Sequence, residues 1–339
     1  MLFYFVFLPK HFALLTPTDI FTIGSKKEFE KTTLKVFRHQ YDNNTVYRNF
    51  CVLLGKDKQN VKVVKDIPFL PIQFFKSHEV VSNPDPAQVI FTSSGTTGMV
   101  TSRHLVTDTN YYDQSFRLAF SQFYGNIEDY AVLALLPSYL EREGSSLIYM
   151  VDDLIQRSNN PDSGFYLSNY DELITKLVAL DNAGQNVLLI GVTYALLDLV
   201  EKQGFTLKNT IIMETGGMKG RRREMIREEL HEVLCNGFGV SKIHSEYGMT
   251  ELLSQAYSLG DGIFECPPWM DILIRDTEDA LTYIDYGKTG GINVIDLANI
   301  NSCSFIATQD LGKKYTNQSF EVLGRFDNSD IRGCNLMVL

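Results

Sequence analysis

Gln88-Val89-Ile90-Phe91-Thr92-Ser93-Ser94-Gly95-Thr96-Thr97-Gly98 is the stretch that decides the reading of this chain. A short apolar run passes directly into a loop of hydroxyls and glycine. The run predicts a short buried-type strand over 88–91. Glycines let a backbone approach a ligand closely and take up unusual dihedrals. Successive backbone N–H groups then form an anion-binding nest, and the hydroxyls add donors. This composition suits a polyphosphate. It is not a Walker A loop, because the Gly-Lys-Ser/Thr ending is missing. Taken alone, an exposed polar turn explains the same letters.

Outward from the loop, apolar strands and amphipathic helices alternate. Phe29, Leu34, Phe37 and Tyr41 give 26–41 a helical face. A helix is expected over 107–123, then a strand at 130–136. Helices at 171–182, 194–202 and 221–235 alternate with strands at 186–191 and 209–215. Such alternation predicts an α/β fold with helices packed on the sheet faces. From Phe264 onward strands and turns dominate, with strands expected at 271–275, 281–286, 291–297, 303–308 and 320–324. That end reads as a β-rich subdomain joined to the α/β body.

The 339 residues are 44% hydrophobic and 21% charged, enough apolar material for a substantial core. The net charge of -10 argues against a general nucleic-acid binder, which needs clustered cations. The basic run Lys219–Arg223 precedes Glu224, Glu228 and Glu229, so it reads first as the solvated start of a charged helix. Five cysteines, none at Cys-x-x-Cys spacing, point to free thiols in a reducing compartment, and a cytoplasmic protein is expected. The histidines form no metal-ligand pattern. The apolar stretch Met1–Leu8 is too short to span a bilayer. Residues 1–17 read as an N-terminal extension, either disordered or a start placed too early. One α/β domain, including the β-rich part from about 264, is expected over 18–325 and a flexible tail over 326–339.

A second element is His244-Ser245-Glu246-Tyr247-Gly248-Met249-Thr250-Glu251. An aromatic face can stack on a purine, a threonine hydroxyl can hold a phosphate oxygen, and a carboxylate can coordinate Mg²⁺. With the loop, this element resembles the adenylate-forming superfamily of acyl-CoA synthetases, peptide-synthetase adenylation domains and luciferases. Ser93–Gly98 is similar to the phosphate loop, and Tyr247–Glu251 to the Tyr-Gly-x-Thr-Glu element. Glu214-Thr215-Gly216-Gly217 is similar to the Gly-rich segment beside the adenine. Thr308-Gln309-Asp310 resembles the Thr-Gly-Asp element that grips the ribose, and Gly324-Arg325-Phe326-Asp327 the stretch before the hinge. The resemblance implies ATP and Mg²⁺ as cofactors. It implies nucleotide binding by Ser93, Ser94, Gly95, Thr96, Thr97, Gly98, Gly216, Gly217, Tyr247, Gly248, Asp310 and Arg325. It gives Thr250 and Glu251 catalytic roles, with Glu251 as the metal ligand.

Two departures narrow the resemblance. The phosphate loop continues as Met99-Val100-Thr101-Ser102-Arg103-His104, with no lysine, so Arg103 is the candidate cation and His104 a candidate phosphate-orienting group or a structural histidine. The sequence also stops at Leu339, before the small C-terminal domain whose lysine stabilises charge during adenylation. With Leu136–Arg142 and Arg332-Gly333-Cys334-Asn335-Leu336, the chain resembles the acyl-protein synthetases of bacterial fatty acid reductases, the LuxE-type family of long-chain-fatty-acid–luciferin-component ligases. That family activates a fatty acid as acyl-AMP and captures the acyl group on a cysteine near its own C-terminus. Cys334 is the cysteine so placed, and a nearby cation such as Arg332 or Arg325 would favour its thiolate. The implied partners are a small carboxylic acid and an acyl-accepting reductase or carrier protein. Neither a nucleic acid nor a membrane span is expected. Transfer to coenzyme A or a carrier protein, and a non-catalytic nucleotide-binding subunit, are the alternatives.

Overall fold

The described chain opens on α1 (Pro17–Phe21), α2 (Lys26–Asn43) and α3 (Thr45–Leu53), started by the side chains of Thr16, Ser25 and Asn44 accepting from backbone N–H groups of the first turns. α2 buries Phe29, Thr32, Thr33, Val36, Phe37 and Gln40, the spacing of one helical face. The structure, a computed structural model, describes residues 15–93, 100–137, 144–167, 169–216 and 225–326. Next come β1 (Leu70–Pro71), α4 (Phe74–Ser77), β2 (Val89–Thr92) and β3 (Arg103–Val106). β2 and β3 pair antiparallel, with Phe91 opposite His104 and Thr92 opposite Arg103. The expected strand before the loop is therefore present, but it belongs to a two-stranded hairpin. Its side chains alternate, with Phe91 buried and Ile90 exposed, so it is not the fully buried strand its apolar letters suggest. β3 also takes residues just ahead of the next helix, α5 (Asn110–Tyr124), which starts three residues later than 107.

The α/β body then runs through β4 (Ala131–Leu135), α6 (Ser146–Ser158), β5 (Gly164–Tyr166), α7 (Tyr170–Asn182), β6 (Val187–Val192), α8 (Thr193–Lys202), β7 (Thr210–Thr215), α9 (Arg227–Phe238) and β8 (His244–Tyr247). Five of these strands lie parallel in the order β5-β4-β6-β7-β8. Every residue of β4 and β6 is buried, as expected of parallel strands covered on both faces. α9 ends at Gly239, whose φ of +67° favours glycine and where a Cβ would meet the Phe205 carbonyl oxygen at 2.6 Å.

Six further strands are antiparallel: β9 (Ala256–Ser258), β10 (Ile263–Glu265), β11 (Met270–Arg275), β12 (Gly290–Asp296), β13 (Phe305–Lys314) and β14 (Phe320–Arg325). They extend the same sheet in the order β8-β9-β10-β14-β13-β12-β11, and β1 adds to β13. The strand expected at 281–286 does not form; Tyr283 makes a single bridge to Arg275 between turns. β8 and β13 are four strand steps apart, about 19 Å in a flat sheet. Yet the Tyr247 hydroxyl donates to Asp310 Oδ2 at 2.8 Å. The strands between must therefore coil until β8 and β13 face one another. Phe264 and Phe320 fill the hollow, with ring centroids 6.0 and 5.8 Å from that of Tyr247.

Polar stitches hold the N-terminal helices to this coiled region. Buried Gln40 donates to the carbonyls of Asn299 and Ile300 and accepts from the Ser304 N–H. Asn44 and Ser82 both donate to the Ser302 carbonyl. Among the described residues no helix is long and apolar enough to cross a membrane.

One buried carboxylate anchors the parallel half. Asp181, at the end of α7, accepts from the N–H groups of Lys208 and Asn209 and from the Thr210 hydroxyl, 2.7–3.1 Å away. Asp181→Ala leaves those donors unpaired at the entry to β7. We expect a loss of about 3 kcal/mol in urea unfolding, with the slope unchanged.

Candidate functional site

Parallel strands end where their carbonyl ends meet loops, and ligands of open α/β sheets bind outside those ends. Here the ends of β7 and β8 deliver Thr215-Gly216 and Tyr247-Gly248 to one edge. Gly216 has a φ of +67°, and its carbonyl accepts from the Thr193 hydroxyl at 2.9 Å, which fixes the exit from β7 against the start of α8.

Three expected nucleotide-binding residues converge. Tyr247 donates to Asp310 Oδ2, and Arg325 Nε lies 3.3 Å from Asp310 Oδ1. Asp310 and Arg325 are cross-strand partners on β13 and β14. Buried Arg275 donates to the carbonyls of Ile292 and Thr308 and to Asn293 Oδ1, which locks β13 just before Asp310. The Thr308 hydroxyl in turn accepts from the Asp310 N–H. Burial, the Asp310 charge and the bond to it push the Tyr247 phenol well above its ordinary pKa, so it stays a donor. Arg325 is 76% exposed, so its guanidinium faces solvent beside a carboxylate that is largely enclosed.

Thr250 and Glu251 sit in the turn after β8, held by residues far away in sequence. His104 Nδ1 lies 2.8 Å from the Thr250 carbonyl, and Nε2 lies 3.0 Å from Asn299 Oδ1. The Asn299 amide donates to the Glu251 carbonyl at 2.7 Å. His104 is fully buried, and burial lowers its pKa to about 4, so the ring is neutral at pH 7. Its contacts are with backbone and amide, which favours the structural role over a phosphate contact. Glu251 is 5% exposed, and burial raises its pKa. Its side chain is paired with Ser102, from the hairpin strand that follows the loop. Arg103 points elsewhere, exposed and 3.8 Å from Glu79.

The hairpin fixes Ser93 at the mouth of the loop. Ser93 N–H donates to the Ser102 carbonyl, and the Ser93 hydroxyl accepts from the Ser102 N–H at 2.9 Å. Ser94, Gly95, Thr96, Thr97, Gly98, Gly217 and Cys334 lie outside the described residues, as do the Lys219–Arg223 run, Glu141 and Arg142.

Three groups escaped the sequence reading. Arg227, at the start of α9, binds Glu214 at 2.6 Å and the Ser245 hydroxyl at 3.2 Å, and its guanidinium lies 5.1 Å from the centre of the Phe264 ring. Burial opposes the Glu214 charge, but His231, Arg227 and Ser245 outweigh it and hold the carboxyl below its ordinary pKa. Asn299 grips the Glu251 turn as described. Glu246, beside Tyr247, accepts from the Thr215 hydroxyl at 2.5 Å, and burial raises it to about 7. The sequence signal for Glu246 was its place next to Tyr247; Arg227 and Asn299 gave none, because their partners are remote.

A metal or nucleotide can be tested against these groups. The described residues contain no cluster of three His, Cys, Asp or Glu side chains of the kind that encloses a metal. What they offer is one enclosed carboxylate, Glu251, whose pKa burial raises, and Asp310 with an exposed arginine. That set fits Mg²⁺ held chiefly by phosphate oxygens, and a sugar hydroxyl at Asp310.

Comparison with known proteins places this geometry. The family model described as acyl-protein synthetase, LuxE, matches residues 17–109. The long-chain-fatty-acid–luciferin-component ligase of Vibrio harveyi is 22% identical over 342 residues, covering 93% of this chain and 88% of the relative. Among solved structures, an open conformation of 2-hydroxyisobutyryl-CoA ligase in complex with 2-HIB-AMP and CoA aligns with a TM-score of 0.65 at 13% identity. That alignment covers 89% of this chain and 70% of the other. ATP-bound MatB from Rhodopseudomonas palustris aligns with a TM-score of 0.52 at 19% identity over 70% of this chain, which spans only 47% of MatB. The chain is thus similar in sequence to the LuxE-type acyl-protein synthetases and shares the α/β fold of these two solved structures.

Proposed function

We propose that the protein activates a carboxylic acid with ATP, forming an acyl-AMP, and passes the acyl group to a thiol. The observation that carries this reading is the meeting of Tyr247, Asp310 and Arg325, three residues drawn from three separate motifs, at one sheet edge beside the Glu251 turn. The names of the relatives, ligases of long-chain fatty acids, support a fatty acid as substrate. Nucleotide-bound neighbours of the same fold support ATP as the second substrate.

In the first half-reaction a carboxylate oxygen attacks the α-phosphorus, and the bond to the β-phosphate oxygen breaks, releasing pyrophosphate. Asp310 is suited to accept from ribose hydroxyls, with Arg325 and Tyr247 fixing its two oxygens. Thr250 would donate to a phosphate oxygen, with Ser93 and Gly216 beside the phosphates. Glu251 would hold Mg²⁺, whose charge offsets that of the phosphates. Catalysis of this kind rests on alignment and fixed charge. His104 and Asn299 serve it indirectly by holding the carbonyls of Thr250 and Glu251.

In the second half-reaction a thiolate attacks the acyl carbonyl, and AMP leaves. We assign that thiol to Cys334. The four described cysteines are poor nucleophiles. Burial pushes the Cys51 thiol up to about 12 and raises Cys235, Cys266 and Cys303 as well.

Two measurements test this reading. Incubation with ATP, Mg²⁺ and tetradecanoate is expected to add one acyl group by intact mass, and Cys334→Ala is expected to abolish the adduct. Pyrophosphate exchange that survives without an adduct would move the acceptor to an outside thiol. Asp310→Ala is expected to raise KM for ATP at least tenfold while the KM for the acid changes little. An unchanged KM for ATP would remove Asp310 from the nucleotide site.

A further inference from the structure

Resting on the reading of this site as an acid-activating one, we propose that the acid it takes carries a hydrogen-bond donor, a hydroxyl or amino group, on its carbon skeleton. Three adjacent strands present a row of polar side chains on one face. Thr215, Glu246 and Tyr257 are successive register partners across β7, β8 and β9, so their side chains share that face. Thr215 donates to Glu246 Oε2, and no hydrogen bond reaches Oε1 among the described residues. Oε1 instead points at Gly248, where an added Cβ would overlap it, and Gln255 Cγ lies 3.3 Å from the same point.

Two neighbouring polar atoms are also unspent. The Tyr257 hydroxyl and Gln255 Oε1 are buried and have no hydrogen-bond partner among the described residues, and their residues are 1% and 3% exposed. Leaving such atoms unpaired costs about 1–3 kcal/mol each. A purely alkyl acid would leave that cost in place. A donor on the ligand would meet Glu246 Oε1 or Gln255 Oε1, and the Tyr257 hydroxyl can add a bond in either direction.

The walls around this row are aromatic. Tyr257 packs against Phe123 and Tyr124 of α5, with ring centroids 5.3 and 5.4 Å away. Glu246 is only half-buried, and its Oε1 lies against Gly248, the residue that follows Tyr247, so the row begins at the strand end where Tyr247 and Asp310 meet. Apolar walls with a few unpaired polar atoms are the make-up of a small-molecule site that selects by hydrogen bonding. A site so built discriminates strongly against an analogue lacking the donor, by far more than a methylene can.

The test compares matched acids by ATP–pyrophosphate exchange: hexanoate against its 3-hydroxy and 3-amino forms, benzoate against its 3-hydroxy and 3-amino forms, and tetradecanoate. In at least one series a donor-bearing acid is expected to exceed its parent and tetradecanoate at least tenfold in kcat/KM. Tyr257→Phe removes only a hydroxyl that bonds to nothing, so folding is expected to survive. It and Glu246→Leu should bring that ratio at least fivefold closer to one. The proposal is overturned if a parent acid or tetradecanoate exchanges as well as every donor-bearing acid, or if the ratio is the same in both variants. If no acid supports exchange, the activation reading fails on its own. Calorimetric titration of the same acids then decides the pocket. Donor-bearing acids that bind at least fivefold more weakly to Tyr257→Phe support it, and equal or absent binding overturns it.

Discussion

A single hydrogen bond, from Tyr247 to Asp310, imposes the shape on which the rest of the site depends. The two residues belong to strands four steps apart in one sheet, and a flat sheet cannot bring them within 2.8 Å. Coiling of β9, β10 and β14 is therefore built into the site. Phe264 and Phe320 occupy the inside of the coil, and Arg275 pins β12 to β13 by one carbonyl bond to each. The apolar filling supplies the driving force, and the polar bonds select one curvature among many.

The same economy runs through the Glu251 turn. Its two carbonyls are held by side chains from a hairpin near residue 104 and from the loop at residue 299. The backbone of the turn is thereby fixed, while the Glu251 side chain pairs with Ser102. His104 is instructive because its two ring nitrogens both face oxygen acceptors. A neutral imidazole carries one N–H, so it satisfies one of them at a time.

Much of this was legible in the letters. Residues 186–191 read as a strand because Val187, Leu188, Leu189 and Ile190 are all apolar, and the structure buries all four. Phe29 and Phe37 mark the inner face of α2 by spacing alone, whereas Leu34 and Tyr41, read onto the same face, are only half-buried. Tyr247, Asp310 and Arg325 were found through short motifs, and they meet in space. What could not be read is relational. Arg103–Val106 looks like a loop end until β2 is known to pair with it. Leu281–Tyr286 has the composition of a strand, yet its pairing stops at one isolated bridge, Tyr283 with Arg275. Glu246, Asn299 and Arg227 are ordinary polar letters whose importance comes from partners 13 to 195 residues away. Local propensity carries no information about such distances.

Consider finally the stitch between Gln40 and Ser304, which spans 264 residues of chain. A ribosome adding roughly 5–20 residues each second would need about 13–50 seconds to make the second partner after the first. For that interval α2 exists with its apolar face and its buried glutamine unmatched, because the surface that receives them has not been synthesised. The helices at the front of the chain are thus the last to be settled, and the nascent protein spends most of its birth with its earliest segment waiting for its latest.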